Sequence, residues 1–202
     1  SFPNGLSLRL DHDTRFTIAA ADQIELTSGA LYIDAPPTNA GDSLTITTSA
    51  GSVRHIGTQY EVRAHADSVQ VSVREGRVVV TSINGSNDTG EAGQVLHLSA
   101  SGELTRRTLA VTDPHWLWTL QAAPVFDIDD QTLATFLQWI ARETGRHVVY
   151  SSPKAEAAAA EVKLRGSIAG LDADAALAAV LSTTQLRRYR TSDQQIGIEL
   201  AD

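Results

Sequence analysis

The amino-acid sequence predicts a mixed fold, in which an irregular all-β roll or solenoid-like N-terminal domain precedes a small α/β C-terminal domain of order βαβ-βαββ. Through residue 112, apolar and polar residues alternate with period two, which is typical of strands with one buried face. From residue 125 onward, apolar residues recur at helical spacing between short strand-like segments. We therefore predict domains at residues 1–112 and 125–202, joined by a linker or seam segment at 113–124 that Pro114 and Pro124 bracket.

The N-terminal region contains many short alternating segments that Gly, Asn or Asp separates. The predicted strands are 7–10, 15–18, 23–26, 30–33, 44–48, 52–56, 59–63, 68–73, 77–81 and 94–98. Because no helical stripe occurs before Asp113, so many short strands indicate a sandwich, a barrel or a wound solenoid. No strict internal repeat is present, which favours an irregular roll. Gly76 is expected to form a turn with positive φ between two of these strands.

The C-terminal region is predicted to begin with a strand at 125–128 and an amphipathic helix. The apolar stripe of this helix runs from Leu133 to Ala141. Asp130 is a candidate for its N-cap, and Gly145 is typical of the residue that ends a helix. A strand at 147–150 follows this helix.

The remaining elements complete a small sheet with two helices on one face. An alanine-rich segment at 155–160 is either a short helix or a loop, and residues 162–166 are strand-like. Asp172 is the expected cap of a second helix, which continues through Leu181. Two closing strands are predicted at 186–190 and 196–200.

Composition and charge narrow the classes of function. The chain has 202 residues, enough for two small domains with separate cores, and a net charge of -8 with no basic surplus for nucleic acid. It has no Cys, which excludes a disulfide framework and a Cys-ligated zinc site. It also has no Met, which indicates a processed product or part of a longer chain, with any signal peptide or anchor upstream. No apolar run approaches the roughly 20 residues that span a bilayer.

The sequence offers no motif for catalysis or metal binding. The six His residues are scattered, and neither an HExxH nor a GxSxG motif occurs. Asp127, Asp129 and Asp130 form an acidic cluster, which we interpret as capping and first-turn residues because EF-hand spacing is absent. We therefore predict a protein that is not an enzyme and has no catalytic, cofactor-binding or metal-binding residues.

Three tryptophans are candidates for contact surfaces. Trp116 and Trp118 flank Leu117 in the predicted seam segment, where they either plug the seam between the domains or form an exposed anchor for a partner. Trp139 lies off the apolar stripe of its helix. It either seals the edge of the core or belongs to a contact patch.

A predicted strand near the C-terminus is rich in arginine. Arg187, Arg188, Tyr189 and Arg190 follow one another, and Arg188 and Arg190 would share a face with Tyr189 opposite. This strand is either a solvated edge protected by charge or a docking edge for an acidic partner. With Trp139, these four residues are the candidate partner-binding site.

Four elements of the β-rich region resemble the FecR family. The pattern "sGa.y.v" is matched by residues 26–33, "v..iGT.f.V" by 53–62, "v.V.eG.V.v" by 71–80, and "aGq...l" by 92–96. The elements occur in the family's order. This resemblance implies the β-rich periplasmic domain of that family.

The C-terminal region resembles the secretin and TonB short N-terminal domain. Residues 126–150 fit the pattern "fdi...L...L..la..tg..v.y", and residues 171–189 fit "s.eeaL..lL..t.L.y". The two resemblances together cover nearly the whole chain. This second resemblance implies an α/β domain that works through protein–protein contact.

The pairing of these resemblances implies a module of cell-surface signalling, of the kind that regulates iron transport. FecR-like regulators sense a TonB-dependent outer-membrane transducer in the periplasm and control an extracytoplasmic-function sigma factor in the cytoplasm. The chain is therefore expected to lie in the periplasm, tethered to the inner membrane by a helix that precedes Ser1. Its expected partner is the periplasmic signalling domain of the transducer, and neither a cofactor nor nucleic acid is expected.

Two other classes of function stay open. The chain could be an envelope scaffold or glycan-binding module unconnected to a sigma factor, with the β-rich domain as its platform. It could also be an enzyme such as a β-solenoid carbohydrate lyase, but no motif indicates the convergent carboxylates that such chemistry needs. A membrane helix and cytoplasmic segment upstream would favour the signalling hypothesis, and a glycan pulldown would favour the scaffold.

Overall fold

A computed structural model of the chain describes residues 6–35 and 44–201, in two units that comprise Ser1–Ala122 (unit 1) and Ala123–Asp202 (unit 2). The elements of unit 1 are β1 Ser7–Leu10, β2 Arg15–Ala20, β3 Gln23–Asp34, β4 Thr45–Thr48, β5 Gly51–Ala64, β6 Ser68–Ser82, β7 Asn87–Glu91, β8 Gln94–Ser99, β9 Leu104–Thr108, a 3₁₀ turn at Pro114–Trp116 and α1 Leu117–Gln121. The elements of unit 2 are α2 Leu133–Thr144, β10 His147–Tyr150, α3 Pro153–Glu161, α4 Ala173–Ser182, β11 Leu186–Tyr189 and β12 Gln195–Leu200. No helix in these described ranges is long and apolar enough to cross a membrane.

Two long strands organise the sheet of unit 1. Among the described residues the strand order is β1-β3-β4-β5-β6-β8-β9, with β2 added to β3 and β7 added to β6. The first part of β5 pairs with β4 and its last part with β3. The first part of β6 pairs with β8 and its last part with β7. The sheet therefore has two halves, one where β5 and β6 pair with β4 and β7 and the other where they pair with β3 and β8. The strands β5 and β6 bend and run through both halves.

A bulge at two glycines bends β5 and β6 at the same level. The pairing register shifts between Ile56 and Tyr60, and Gly57 and Gly76 both have positive φ, at 53° and 73°. A Cβ on Gly76 would lie 2.4 Å from the carbonyl oxygen of Gly57, so only glycine fits there. Thr58 closes the bulge by donating its hydroxyl hydrogen bond to the carbonyl of Glu75. An extra residue of this kind bends a strand without ending it.

The predicted turn at Gly76 is therefore wrong, because the chain continues through it in one direction. The predicted strands 68–73 and 77–81 are the two parts of β6, and 52–56 and 59–63 are the two parts of β5. Segments 23–26 and 30–33 are likewise one strand, β3, in which Gly29 has a φ of 85°. A glycine at positive φ predicts a bend in the backbone, but the register decides whether the bend is a turn or a bulge.

The two halves of the sheet pack against each other. A Cβ on Gly90 of β7 would lie 2.4 Å from Cδ1 of Leu96 in β8, and one on Gly51 of β5 would lie 3.1 Å from Cδ2 of Leu98. The fully buried side chains between the halves include Ile24, Leu26, Leu31, Ile33, Ile46, Tyr60, Val62, Val71, Val73, Val78 and Leu96. The mixed, sheet-rich fold class is thus confirmed. The solenoid-like winding is not found in the described residues, because bulges within long strands fold this sheet.

Unit 2 has a three-stranded sheet with β12 in the centre. Its order is β10-β12-β11, in which β10 is parallel and β11 antiparallel to β12. Ile196 and Ile198 of β12 are fully buried, as are Leu133, Phe136, Leu137 and Ile140 of α2. Two predicted helix ends are confirmed. Gly145 ends α2 with a φ of 67°, and the Asp172 carboxylate accepts a hydrogen bond of 2.8 Å from Ala175 N at the start of α4.

Three predictions for unit 2 are wrong. Residues 125–128 alternate between inward and outward positions but form no strand, because they pair with no strand of the sheet β10-β12-β11. Thr132 rather than Asp130 caps α2: Thr132 Oγ1 accepts from Thr135 N at 3.1 Å, whereas Asp130 has a φ of 62°. Residues 162–166 make only an isolated bridge, between Lys163 and Thr132. The alanine-rich segment at 155–160, for which the sequence predicts either a helix or a loop, lies in α3. The element order is therefore αβααββ instead of βαβ-βαββ.

Candidate protein-interaction surface

The arginine-rich segment lies on an edge of the unit 2 sheet. Within the described residues β11 pairs only with β12. The hydrogen bond of 2.8 Å from Ala201 N to Gln185 O fixes the alternation of the ladder, because hydrogen-bonded and non-hydrogen-bonded pairs alternate along antiparallel strands. This alternation turns the backbone groups of Arg187 and Tyr189 toward β12 and those of Leu186 and Arg188 outward.

Arg188 therefore carries the outward backbone donor and acceptor of this edge. The N–H of Leu186 already donates to Thr184 Oγ1 at 3.1 Å, and the carbonyl oxygen of Leu186 lies 3.3 Å from that hydroxyl, whose single hydrogen it shares with Leu181 O at 3.0 Å. An approaching extended segment would meet the N–H and C=O of Arg188 first. Backbone groups presented in this way are a template for strand addition.

The arginine side chains of this edge differ in their partners. Arg187 pairs with Glu199 across the strands at 2.9 Å. Arg188 lies 3.3 Å from Asp174, which also accepts from Arg146 at 2.8 Å. These hydrogen bonds, that of Arg146 above all, hold the pKa of Asp174 below its usual value.

Arg190 follows β11 directly and is exposed. It forms no ion pair with any residue in the described part of the chain, in contrast to Arg187 and Arg188. Its guanidinium is therefore available to an acidic partner group without first breaking an internal pair.

Tyr189 packs on its own sheet. It lies opposite Gly197 of β12, where a Cβ would be 2.9 Å from Cε1 and Cζ of the tyrosine ring. The ring thus occupies the space above a residue that has no side chain, and Tyr189 is half-buried. Its neighbour Arg188 pairs in register with the buried Ile198, on the other face of the sheet.

Trp139 belongs to an aromatic cluster within unit 2. Its ring stacks on Phe126 at a centroid distance of 4.9 Å and an interplanar angle of 20°, and lies 6.0 Å from the Phe136 ring. The side chain is half-buried. These contacts favour the interpretation that Trp139 seals the edge of the core, and a role in partner binding stays a prediction.

Trp116 and Trp118 contact the sheet of unit 1. Both pack edge-on against Tyr32 of β3, at centroid distances of 6.0 and 6.4 Å. Trp116 is buried in a second apolar cluster with Tyr32, Val95 and Leu109. All these contacts lie within unit 1, so the predicted role at a seam between the domains stays a prediction.

A row of residues that the sequence analysis overlooked lies under these tryptophans. Arg9, Tyr32, Glu61, Ser72 and Val95 are successive partners across β1, β3, β5, β6 and β8. Cross-strand partners share a face, so this row lies on the side of the sheet away from the main core. Arg9 is 4% exposed and Glu61 is 0% exposed.

Glu61 is the centre of this buried face. One carboxylate oxygen, Oε2, accepts from Trp118 Nε1 at 2.8 Å, and Oε1 accepts from Arg63 Nε and lies near His115 Nε2, both at 3.2 Å. Burial raises the pKa of Glu61, but contacts with His115 and Arg63 outweigh that cost and hold the pKa below its usual value. Arg63 also donates to Asp11 at 2.8 Å. Glu61 is thus a buried anion with satisfied oxygens.

Polar contacts also fix the rest of the segment that covers this face, residues 109–121, which we name the covering segment. Arg9 donates to the carbonyl of Thr119 at 2.8 Å. Arg74 donates to the carbonyl of Val111 at 3.0 Å, and its guanidinium lies 5.3 Å from the Trp116 ring centroid. Charged side chains of the sheet therefore hold the covering segment through its backbone.

Unit 1 also has an open groove of about 440 Å³, lined by Gly76, Arg77, Glu91 and Ala92. Arg77 and Glu91 are cross-strand partners of β6 and β7. Across the ranges 6–35 and 44–201, no group of three or more His, Asp or Glu side chains is placed to hold a metal ion.

Comparison with known proteins identifies a relationship for the first part of the chain. The FecR protein family matches residues 1–79. This match contains the elements at 26–33 and 53–62 and most of the element at 71–80, whose glycines form the bulges described above. The FecR resemblance is thus confirmed over these residues. No comparison tests the resemblance of residues 125–202 to the secretin and TonB short N-terminal domain, which stays a prediction.

Solved structures show a similar fold. A crystal structure at 1.65 Å of a protein provisionally described as an anti-sigma factor, from Parabacteroides distasonis ATCC 8503, is 18% identical, covers 100% of this chain and 93% of its own, and has a TM-score of 0.50. A second crystal structure with that description, from the same organism, is 17% identical, covers 100% and 92%, and has a TM-score of 0.49. A search of curated proteins finds no match.

Proposed function

We propose that this chain is the extracytoplasmic part of a FecR-like sigma-factor regulator, and that its unit 2 binds the periplasmic signalling domain of a TonB-dependent transducer. The observation that carries the proposal is the open β11 edge with its outward Arg188 backbone, in a chain whose first 79 residues match the FecR family. The shared fold with the Parabacteroides protein is consistent with a sigma-factor context. We infer that the chain lies in the periplasm, tethered to the inner membrane, as the resemblance to FecR-like regulators implies.

The contact combines strand addition with charge. An extended segment of the partner pairs with β11 through the N–H and C=O of Arg188, and Arg190 meets an acidic side chain on that segment. Backbone hydrogen bonds provide affinity that depends little on sequence, whereas the charge pair sets the orientation of the partner. Unit 1 supports this function as a rigid folded sheet rather than as the binding surface. Transient signalling interfaces are often small, so we expect modest affinity, roughly micromolar or about -8 kcal/mol.

The test uses proline to remove a single outward donor. Arg188→Pro deletes the N–H that faces the partner while leaving the ladder bonds to β12, which Arg187 and Tyr189 make. Arg188→Ala is the matched control, because it loses the same guanidinium but keeps the N–H. We expect Arg188→Pro to weaken calorimetric binding of the transducer's signalling domain about tenfold beyond Arg188→Ala, since one hydrogen bond is lost and the ring obstructs the edge.

Circular dichroism and the melting temperature establish that both variants fold. Equal affinities for Arg188→Pro and Arg188→Ala would remove β11 from the interface. Wild-type affinity in a protein that consists of residues 1–122 alone would place the binding surface on unit 1 and overturn the assignment.

A further inference from the structure

Arg74 of β6 is a buried cation without a carboxylate partner. It is 5% exposed, and it forms no ion pair with any residue in the ranges 6–35 and 44–201. Its neighbours are the carbonyl of Val111 and the Trp116 ring, neither of which carries a charge. A guanidinium stays protonated in proteins, and burying a charge costs free energy unless an opposite charge compensates it. The surroundings of Arg74 therefore favour a bound anion.

Three buried donors lie together on the covered face around Arg74. Arg74 Nη1, the Tyr32 hydroxyl and Gln59 Nε2 are buried, and none has a hydrogen-bond partner among the described residues. Gln59 of β5 faces the bulge of β6 in which Arg74 lies. Gln59 and Glu61 alternate along β5, so Gln59 shares the face of Glu61 and of its partner Tyr32.

The Tyr32 hydroxyl is a donor at neutral pH. Burial raises the pKa of Tyr32 to about 12, although the Arg74 guanidinium nearby opposes the rise. The phenol therefore keeps its proton. A protonated hydroxyl, an amide N–H and a guanidinium N–H all need an acceptor when they are buried. Such a set of donors fits an anion, which accepts several hydrogen bonds at once.

The charges around these donors sum to a positive value. The charged groups that act on Tyr32 are Arg74, Asp34 and Arg9. Asp34 lies 3.5 Å from Arg9, so these two offset each other. Glu61 is committed to the contacts described above. The charge of Arg74 is left to be compensated.

We propose that unit 1 binds a small inorganic anion of the size of chloride between Arg74, Tyr32 and Gln59. The anion accepts hydrogen bonds from the three donors and compensates the guanidinium. The donors are buried beneath the covering segment, so the site takes a compact ion rather than an organic ligand. Because Arg74 also donates to the carbonyl of Val111, the anion strengthens the attachment of the covering segment to the sheet. This site lies in unit 1, is independent of the β11 edge and goes beyond the proposed function.

Thermal unfolding of the full chain in chloride tests the proposal. Sodium chloride is exchanged for sodium gluconate at constant ionic strength, so that only the supply of a compact anion changes. An anion that binds the folded state alone raises the melting temperature, by roughly 4 °C when chloride exceeds its dissociation constant about tenfold. A melting temperature that does not change with chloride would overturn the proposal.

Two substitutions on β6 separate the site from general effects of salt. Arg74→Met removes the buried cation and keeps an unbranched side chain, so the rise with chloride should be lost. Arg77→Met is the matched control, because Arg77 lies on the same strand but is exposed, and the rise should persist. Equal chloride dependence in the two variants would contradict the site.

A milder variant applies if Arg74→Met does not fold. Tyr32→Phe keeps the aromatic ring and removes only the hydroxyl donor. Its melting temperature should rise less with chloride than that of the wild type. An undiminished rise would exclude Tyr32 from the site and overturn the proposed ligand set.

Anomalous scattering from crystals grown in sodium bromide locates the ion directly. Bromide replaces chloride in such sites, so we expect an anomalous peak within hydrogen-bond distance of Arg74 Nη1, the Tyr32 hydroxyl and Gln59 Nε2. A water molecule at this position without an anomalous signal would show that the donors are hydrated, and would overturn the proposal.

Discussion

Charged residues serve different purposes in the two units. In unit 1, Glu61 is fully buried and its oxygens contact Arg63, His115 and Trp118. In unit 2, Arg190 is exposed on the edge of the sheet and has no ion pair with a described residue. A buried charge must be satisfied internally, so the fold depends on the contacts of Glu61, whereas an exposed charge is available to a partner. Burial, more than residue type, separates the structural charges of this protein from its candidate binding charges.

The largest expected effect comes from neutralising the buried carboxylate. Glu61→Gln keeps the size of the side chain but removes one of the two carboxylates that Arg63 contacts, the other being Asp11, and the carboxylate that His115 contacts. We expect the free energy of unfolding to fall by about 3 kcal/mol, because a buried charged hydrogen-bond partner is lost. Urea unfolding measures the change. Glu25→Gln, at an exposed position of β3, is the control and should change stability by less than about 0.5 kcal/mol. Equal effects of the two substitutions would contradict the importance of burial.

A second prediction compares two glycines with similar backbones in crowded and open surroundings. Gly76 and Gly85 have φ values of 73° and 82°, but a Cβ on Gly76 would meet Gly57 O at 2.4 Å, whereas one on Gly85 meets nothing within 4 Å. Gly85→Ala should cost about 1 kcal/mol, for positive φ alone. Gly76→Ala should cost at least about 2 kcal/mol more, because the bulge must also move. Similar unfolding free energies for the two variants would show that the bulge is not tightly packed.

The third and smallest effect is a dependence on pH. Because the pKa of Glu61 is lowered in the folded protein, its charge stabilises the fold above the unfolded pKa of about 4.3. That contribution is lost as pH falls through the lower folded pKa. The difference in unfolding free energy between wild type and Glu61→Gln should therefore shrink as pH falls below about 4.3. A difference that stays constant down to pH 3 would contradict the assigned role of the Glu61 charge.

The fold was largely predictable from the alternation of polar and apolar residues, and the predictions that failed did so for identifiable physical reasons. Strand β7, with the sequence NDTGE, was missed because it contains no apolar residue at alternate positions. The sequence pattern identified Gly76 as a bend but could not distinguish a turn from a bulge, since the distinction depends on the pairing of distant strands. At the start of α2, Asp130 was a plausible cap, but Thr132 is the residue with extended backbone at the correct position.

The candidate sites were predictable only where they are exposed. The arginines of β11 stand out in the sequence and do lie on an edge strand. Arg9 and Glu61 alternate with apolar residues, a pattern that predicts a solvated face. They are buried because the covering segment, distant in sequence, lies over that face. Trp116 and Trp118 were predicted to plug a seam between the domains or to anchor a partner, and both roles stay predictions. Alternation alone does not reveal which side of a sheet receives a second layer.

Hydrogen exchange of the full chain, with and without the signalling domain of the cognate transducer, tests the central claim most directly. Strand addition at β11 places the Arg188 N–H in a new hydrogen bond, so its exchange should slow when the partner binds. The amides of Arg187 and Tyr189 already face β12 and should change less. Protection of Arg188 in the complex is the predicted result. Protection confined to unit 1, with β11 unchanged at a saturating partner concentration, would contradict the account.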